Sequence, residues 1–174
     1  MSNRLSRIAA AAVAAARGGS GQQQFGPGLA DAPIGRRSGP IVLPVNSVLQ
    51  RILDEYQLRW LIDDDGDLAV RWDSYSVYFF HYGQDDEVLQ ARLYLNRRFD
   101  VDLRPTISLL LDDWNRSKLF PKAYTVLPDD GLVGVCAEQA FDFEGGVSRE
   151  QLKFTIGMWL QHLQQFAEWV EEHI

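Results

Sequence analysis

From Pro44 onward the hydrophobic positions fall into regular periods. Val45, Val48, Leu49, Ile52, Leu53 and Tyr56 recur at i, i+3, i+4, i+7, i+8 and i+11, the spacing that lines one face of an α-helix. Two alternating runs follow. Leu58, Trp60 and Ile62 interleave with Arg59, Leu61 and Asp63, and Leu68, Val70 and Trp72 interleave with Ala69, Arg71 and Asp73. Asp64-Asp65-Gly66-Asp67 between them predicts a hairpin, because glycine takes the positive φ of a tight turn without steric cost. Ser76 to Tyr82 is aromatic on both faces, as expected of a strand covered on both sides or bordering a partner. In the run 89–98, Leu89, Ala91, Leu93 and Leu95 alternate with Gln90, Arg92, Tyr94, Asn96 and Arg98, which gives one dry and one wet face.

Pro105 suits a helix's first turn, and Ile107, Leu110, Leu111 and Trp114 supply the apolar stripe of a second helix that Pro121 ends. Lys122 to Leu127 and Leu132 to Gln139 pair around Asp129-Asp130-Gly131 as a second hairpin. Ser148 and Gln151 have capping-box spacing, and a long helix runs from there towards Ile174. The expected order is helix, three strands, helix, two strands, helix. This is an α+β domain over residues 44–174, with three helices on an antiparallel five-stranded sheet.

The terminal helix carries more apolar surface than one stripe requires. Leu152, Ile156, Trp159, Leu163, Phe166 and Val170 make its main face, and Phe154, Met158 and Trp169 widen it. Either the helix makes a broad contact with its own sheet, or the Phe154, Met158 and Trp169 flank is a homodimer or partner interface.

The first 40 residues are different material. They hold Arg4, Arg7, Arg17, Arg36 and Arg37 against Asp31 alone, which is +4 and leaves −11 on the remaining 134 of the chain's 174 residues. Residues 18–40 contain seven of the fourteen glycines and three of the seven prolines, a composition expected of a flexible linker. Met1 to Arg17 is Ala-rich and reads as a disordered or fraying helix, with an export signal or a basic interaction arm as alternatives.

Length and charge then bound the function. One domain of this size folds without disulfides, and a single cysteine, Cys136, excludes both a disulfide framework and a thiolate zinc site. A net charge of −7 disfavours nucleic acid or anionic membrane as a general partner, and no apolar run approaches the roughly 20 residues of a membrane span. A reducing, cytoplasmic setting is expected.

Candidate chemistry is sparse. Asp63, Asp64, Asp65 and Asp67 form the one dense carboxylate cluster, but with Gly66 in the sixth place of a calcium loop the first and twelfth places fall on Leu61 and Trp72. These are expected to be turn carboxylates. His81, His162 and His173 lack zinc-helix spacing, and Cys136 sits in the apolar run Val133 to Ala137, as an inert core thiol does. Gly18-Gly19-Ser20-Gly21 lacks the strand and the Lys of a phosphate loop. Arg116, Lys118 and Lys122 read as a solvated helix end, with an acidic peptide as the alternative occupant. No catalytic residue, cofactor or metal ligand is assigned.

The segment Trp114-Asn115-Arg116-Ser117-Lys118-Leu119-Phe120-Pro121-Lys122-Ala123-Tyr124 is more specific. A helix end with an inward Trp, a Phe-Pro stop and a Lys-Ala-Tyr strand opening together resemble the corresponding part of the YbjN family, described as bacterial sensory transduction regulators. Asp64 to Leu68 and Gly146 to Leu152 are similar to the family as well. The resemblance covers residues 44–172 and implies an α+β fold like that of type III secretion chaperones. It implies no catalytic residues. The expectation is therefore a non-enzymatic regulatory or chaperone-like module acting on a protein partner, with Phe154, Met158 and Trp169, or the wet face of strand 89–98, as its surface. The alternatives are a peptide-binding secretion chaperone, or a ligand-binding or metal-dependent enzyme with a pocket near His81 and the Asp63 to Asp67 turn.

Overall fold

The computed structural model describes residues 41–174; the Ala-rich stretch and the linker expected in residues 1–40 lie outside the described residues. In chain order the elements are β1 (Ile41–Val42), α1 (Asn46–Glu55), β2 (Trp60–Ile62), β3 (Leu68–Arg71), β4 (Tyr75–Tyr82) and β5 (Val88–Leu95). A 3-10 turn (Val101–Leu103) leads into α2 (Arg104–Ser117), then β6 (Lys122–Val126), β7 (Gly134–Asp142), β8 (Val147–Ser148) and α3 (Arg149–His173).

The main sheet has the order β2-β3-β4-β5-β7-β6, with every neighbouring pair antiparallel. It has six strands rather than the expected five. Both arms of the Leu58 to Trp72 hairpin join the sheet in addition to β4 and β5, so four strands precede α2. The short arm β2 is held in register by its turn: Gly66 has φ +90, and Asp63 Oδ1 accepts from the amides of Asp65 at 3.1 Å and Asp67 at 2.9 Å. A separate ribbon pairs β1 with β8, Ile41 opposite Ser148 and Val42 opposite Val147.

Alternation sorts the sheet's side chains by face. Leu68, Val70, Val77, Phe79, Leu89, Leu93 and Val135 point to one side, where they share a single core with Leu49, Ile52 and Leu53 of α1, Ile107, Leu111 and Trp114 of α2, and the main stripe of α3. Removing each large side chain of this kind from water stabilises the fold by about 1.5–3 kcal/mol. α3 supplies the broadest contact. All six residues of its expected main face are buried, and at 25 residues it is about 37 Å long, enough to cross a sheet whose six strands span roughly 24 Å.

The helix starts by a partial capping box. Ser148 Oγ accepts from the Gln151 amide at 3.2 Å, but the Gln151 side chain turns to Thr155 Oγ1 at 3.5 Å instead of back to Ser148, which is also the β8 residue opposite Ile41. α1 seats on α3 through Tyr56, whose hydroxyl donates to the Lys153 carbonyl at 2.8 Å. The approach requires glycine at 157, because a Cβ there would lie 2.6 Å from the Tyr56 hydroxyl oxygen.

The Trp114 to Tyr124 segment is a clasp between a helix end and an edge strand. Trp114 Nε1 donates to the Pro121 carbonyl at 2.9 Å, across a cis Phe120–Pro121 bond. Asn115 accepts from the Ala123 amide at 2.9 Å and donates to the Ala123 carbonyl at 2.8 Å. Ala123 belongs to β6, the outermost strand, so this amide pairs two backbone groups that would otherwise point off the sheet's edge.

Candidate functional site

Among the described residues the three helices pack on one side, so the outward residues of the strands form a second face that no described helix covers, the helix-free face. Cross-strand register lays it out in rows. Tyr78, Arg92, Glu138 and Lys122 make one row and Ser76, Tyr94, Cys136 and Tyr124 the next. Phe80 stands opposite Gln90, and Tyr82 opposite Val88.

The aromatic residues of this face pack on one another. Tyr78 and Phe80 are stacked with centroids 5.9 Å apart and planes at 9°, and Tyr94 meets Tyr78 edge-on at 5.8 Å and 84°. Beside them Glu138 organises the polar groups. It accepts from Arg92 Nε at 3.0 Å, the Tyr124 hydroxyl at 2.6 Å and Lys122 Nζ at 3.5 Å. Arg92 also donates to the Tyr94 hydroxyl at 3.2 Å and lies 5.3 Å over the Phe80 ring. Burial pushes the Glu138 carboxyl up, but the Tyr124 hydroxyl, Arg92 and Lys122 outweigh it and hold the group below the usual carboxylate range. Burial, then the bond to Glu138, pushes the Tyr124 phenol up. Both shifts favour a charged Glu138 and a neutral Tyr124 at neutral pH. Through this network the Tyr94 and Tyr124 hydroxyls are held by Arg92 and Glu138.

A trough of about 500 Å³ runs along this face. Asp63, Asp65 and Asp67 line one end, Tyr78, Phe80 and Tyr94 the middle, and Asn96 and Arg98 the other end. Burial, then Asp63 and Asp65, raises the Asp67 carboxyl. A second, more apolar groove of about 400 Å³ lies between the end of β7 and the first half of α3, lined by Phe120, Phe141, Phe143, Val147, Thr155 and Trp159.

The residues singled out from sequence are dispersed. Phe154 and Met158 are half-buried and lie on the α3 face opposite Leu152, Ile156 and Leu163. Trp169 stands 11 residues beyond Met158, roughly 16 Å along the axis. It packs in its own fold, at 5.2 Å from Trp114 and stacked on His173 at 4.6 Å. Phe120 and Tyr124 fall on different surfaces. Phe120 is half-exposed over His162, at 6.1 Å, whereas Tyr124 lies on the helix-free face. Lys118 Nζ sits 5.9 Å over the Trp114 ring, and Arg116 pairs with Asp113.

His81 does not line the trough that Asp63, Asp65 and Asp67 line, although it lies near enough to act on the Asp67 carboxyl, whose pKa it lowers. Its Nε2 is 2.7 Å from the Pro44 carbonyl, and its strand position is on the helix side of the sheet, opposite Leu89. Cys136 is buried, and that burial pushes its thiol up to about 12, which disfavours the thiolate. His162 is half-buried beside Gln139, its Nδ1 3.0 Å from Gln139 Oε1, and burial lowers its pKa. Among the described residues no three His, Cys, Asp or Glu side chains converge on a metal-sized site, and no helix is long and apolar enough to cross a membrane. Sequence signals this face by the aromatic residues on both sides of Ser76 to Tyr82 and by the wet face of strand 89–98; the Arg92 and Glu138 pairing depends on register and has no linear signal.

The YbjN family model, described as "Putative bacterial sensory transduction regulator", matches residues 47–172. The chain belongs to the YbjN family. The crystal structure of YbjN from E. coli, described as "a putative transcription regulator", superposes on this YbjN-family chain with a TM-score of 0.65 at 17% identity, covering 76% of this chain and 96% of that one. At that identity the likeness is one of fold. The HopA1-SchA chaperone-effector complex contains a chain of weaker likeness, with a TM-score of 0.45 and 17% identity over 70% of this chain and 88% of that one. No curated protein sequence matches the chain.

Proposed function

We propose that this YbjN-family protein is a non-enzymatic regulatory module of chaperone-like character, which acts in the cytoplasm by binding another polypeptide on the helix-free face of its sheet. The observation that carries this reading is the Tyr78, Phe80 and Tyr94 cluster. An antiparallel sheet with one solvated face ordinarily alternates apolar-in and polar-out, yet here the outward positions of β4 are Ser76, Tyr78, Phe80 and Tyr82. Aromatic side chains deliver large contact area at low entropic cost, and Arg92 beside them adds a residue type enriched at interfaces. This is the wet face of strand 89–98 that its alternation singles out. Self-association through Phe154 and Met158, with Trp169 further along the same flank, is the companion part of the proposal; it is supported by their place opposite the buried stripe of α3.

Quantitative co-purification from the source cell, wild type against a Phe80→Ser, Tyr94→Ser double variant of unchanged circular dichroism, tests the reading. The expected result is at least one polypeptide retained by the wild type and lost from the variant. An identical set of co-purifying proteins overturns it.

A further inference from the structure

We propose that the trough on the helix-free face is occupied by the chain's own basic N-terminal arm, residues 1–40, whose arginines enter its acidic end while its backbone lies across the aromatic floor. The proposal rests on the reading of this face as a docking surface and names its resident occupant.

Charge complementarity is the first argument. The arm carries five arginines and one acid, and the rest of the chain is at −11. The trough offers a guanidinium carboxylates at Asp63, Asp65 and Asp67, followed by the Tyr78, Phe80 and Tyr94 cluster along which the chain can lie. The charge is graded along the trough. Arg71 reaches the Tyr78 hydroxyl at 3.5 Å, Arg92 the Tyr94 hydroxyl at 3.2 Å, and Arg98 stands at the far end, so a cationic segment is drawn to the aspartate end and meets like charge from the tyrosines onward.

Chain geometry is the second argument. The arm joins the domain at Ile41, in the β1–β8 ribbon just after the end of β7. Asp142 at the end of β7 is opposite Val88, Val88 is opposite Tyr82, and the neighbouring Phe79 is opposite Leu68 at the start of β3. The ribbon and the Asp63 to Asp67 turn are therefore at the same end of the sheet. The residues after Ile41 are tied to that turn's surroundings, Asn46 Nδ2 donating to the Gly66 carbonyl at 3.3 Å and Pro44 lying against His81. Arg37 and Arg36 precede Ile41 by four and five residues, a reach of about 13–18 Å. The full arm reaches far more than the roughly 27 Å length of β4. A tether this short gives the arm a high effective concentration over any free competitor.

The consequence is competition. An arm in the trough covers Tyr78 and Tyr94, so a polypeptide that binds this face must displace it. High salt, which screens an exposed ionic contact, releases it.

The test uses the full chain with a nitroxide at Ser20→Cys; the buried native thiol Cys136 stays unlabelled. The amides of Asp65, Tyr78 and Tyr94 are expected to lose most of their intensity in nuclear magnetic resonance spectra, independently of protein concentration, while Gln165 on α3 keeps its own. Arg17→Ser, Arg36→Ser and Arg37→Ser together, which alter no described residue, restore the lost signals, as does Asp65→Asn in part. Weak broadening spread over the whole domain overturns the proposal, and so does broadening centred on the Phe141 and Trp159 groove. Loss that scales with concentration overturns it in favour of a second copy as occupant. If the arm fails this test while the Phe80→Ser, Tyr94→Ser variant still loses its co-purifying polypeptide, the docking face stands and only its resident occupant is wrong.

Discussion

Asn115 holds both backbone groups of Ala123 with one side-chain amide, accepting from its N–H at 2.9 Å and donating to its carbonyl at 2.8 Å. At this position the amide does what a seventh strand would do: from the last turn of α2 it takes up the Ala123 pair on the edge of β6 and withholds that pair from another chain. Asn115→Ala removes both bonds and strands the two groups. The expected loss is about 2 kcal/mol of unfolding free energy, read from urea denaturation, together with greater aggregation at the exposed edge. Unchanged stability would show that water satisfies Ala123 equally well.

Glu138 makes the second prediction. Its carboxyl is held below the usual range in the fold, so its contribution to stability is present above the unfolded-state pKa and is lost as pH falls through the folded one. Arg92 and Glu138 side chains retain 23% and 15% exposure, and solvent screens the pair accordingly. Glu138→Gln should cost about 1–2 kcal/mol at neutral pH, and the deficit should shrink to nothing in acid, where wild-type Glu138 is itself protonated. A deficit independent of pH would mean that packing, and not charge, is what was lost.

His162 gives the opposite kind of test. Burial lowers its pKa from the ordinary imidazole value of 6.5, so the folded protein prefers the neutral ring. As pH falls below 6.5, the unfolded chain takes up the proton first and stability declines until the folded pKa is passed. His162→Gln should remove that part of the slope in a series of urea midpoints. An unaltered slope would assign the acid sensitivity elsewhere.

Much of this architecture was legible in the chain because periodicity reports burial. The stripes of α1, α2 and α3 and the alternation of β3, β4 and β5 all follow from which residues avoid water. Both arms of the first hairpin are legible in the alternation of Leu58, Trp60 and Ile62 with Leu68, Val70 and Trp72, so the expectation of five strands undercounted the four runs that precede α2. The Trp114 to Tyr124 motif was recognisable as a sequence, but its meaning was not. Only the fold brings Asn115 to Ala123, eight residues away, and Trp114 to Pro121. Phe154, Met158 and Trp169 share a flank by helical spacing, yet Trp169 is drawn into contact with Trp114, from another helix, which no pattern within α3 could reveal.

Gly157 tests the seat of α1 on α3. Alanine is the better helix former by about 1 kcal/mol, but its Cβ would lie 2.6 Å from the Tyr56 hydroxyl oxygen and 3.1 Å from Tyr56 Cζ. Overpacking of this kind costs about 1–3 kcal/mol, so Gly157→Ala should destabilise by about 1 kcal/mol net. Tyr56→Leu in the same chain should relieve part of that cost. A gain in thermal stability for Gly157→Ala alone would show that Tyr56 moves aside freely.

Site-directed photocrosslinking in the source cell tests the central claim most directly, with a benzophenone side chain in place of Phe80 on the helix-free face and, as control, in place of exposed Gln165 on α3. The account predicts a discrete crosslinked polypeptide from position 80, weakened by Tyr94→Ser, and none of the same mass from position 165. The same product from both positions, or a product from 165 alone, would contradict it.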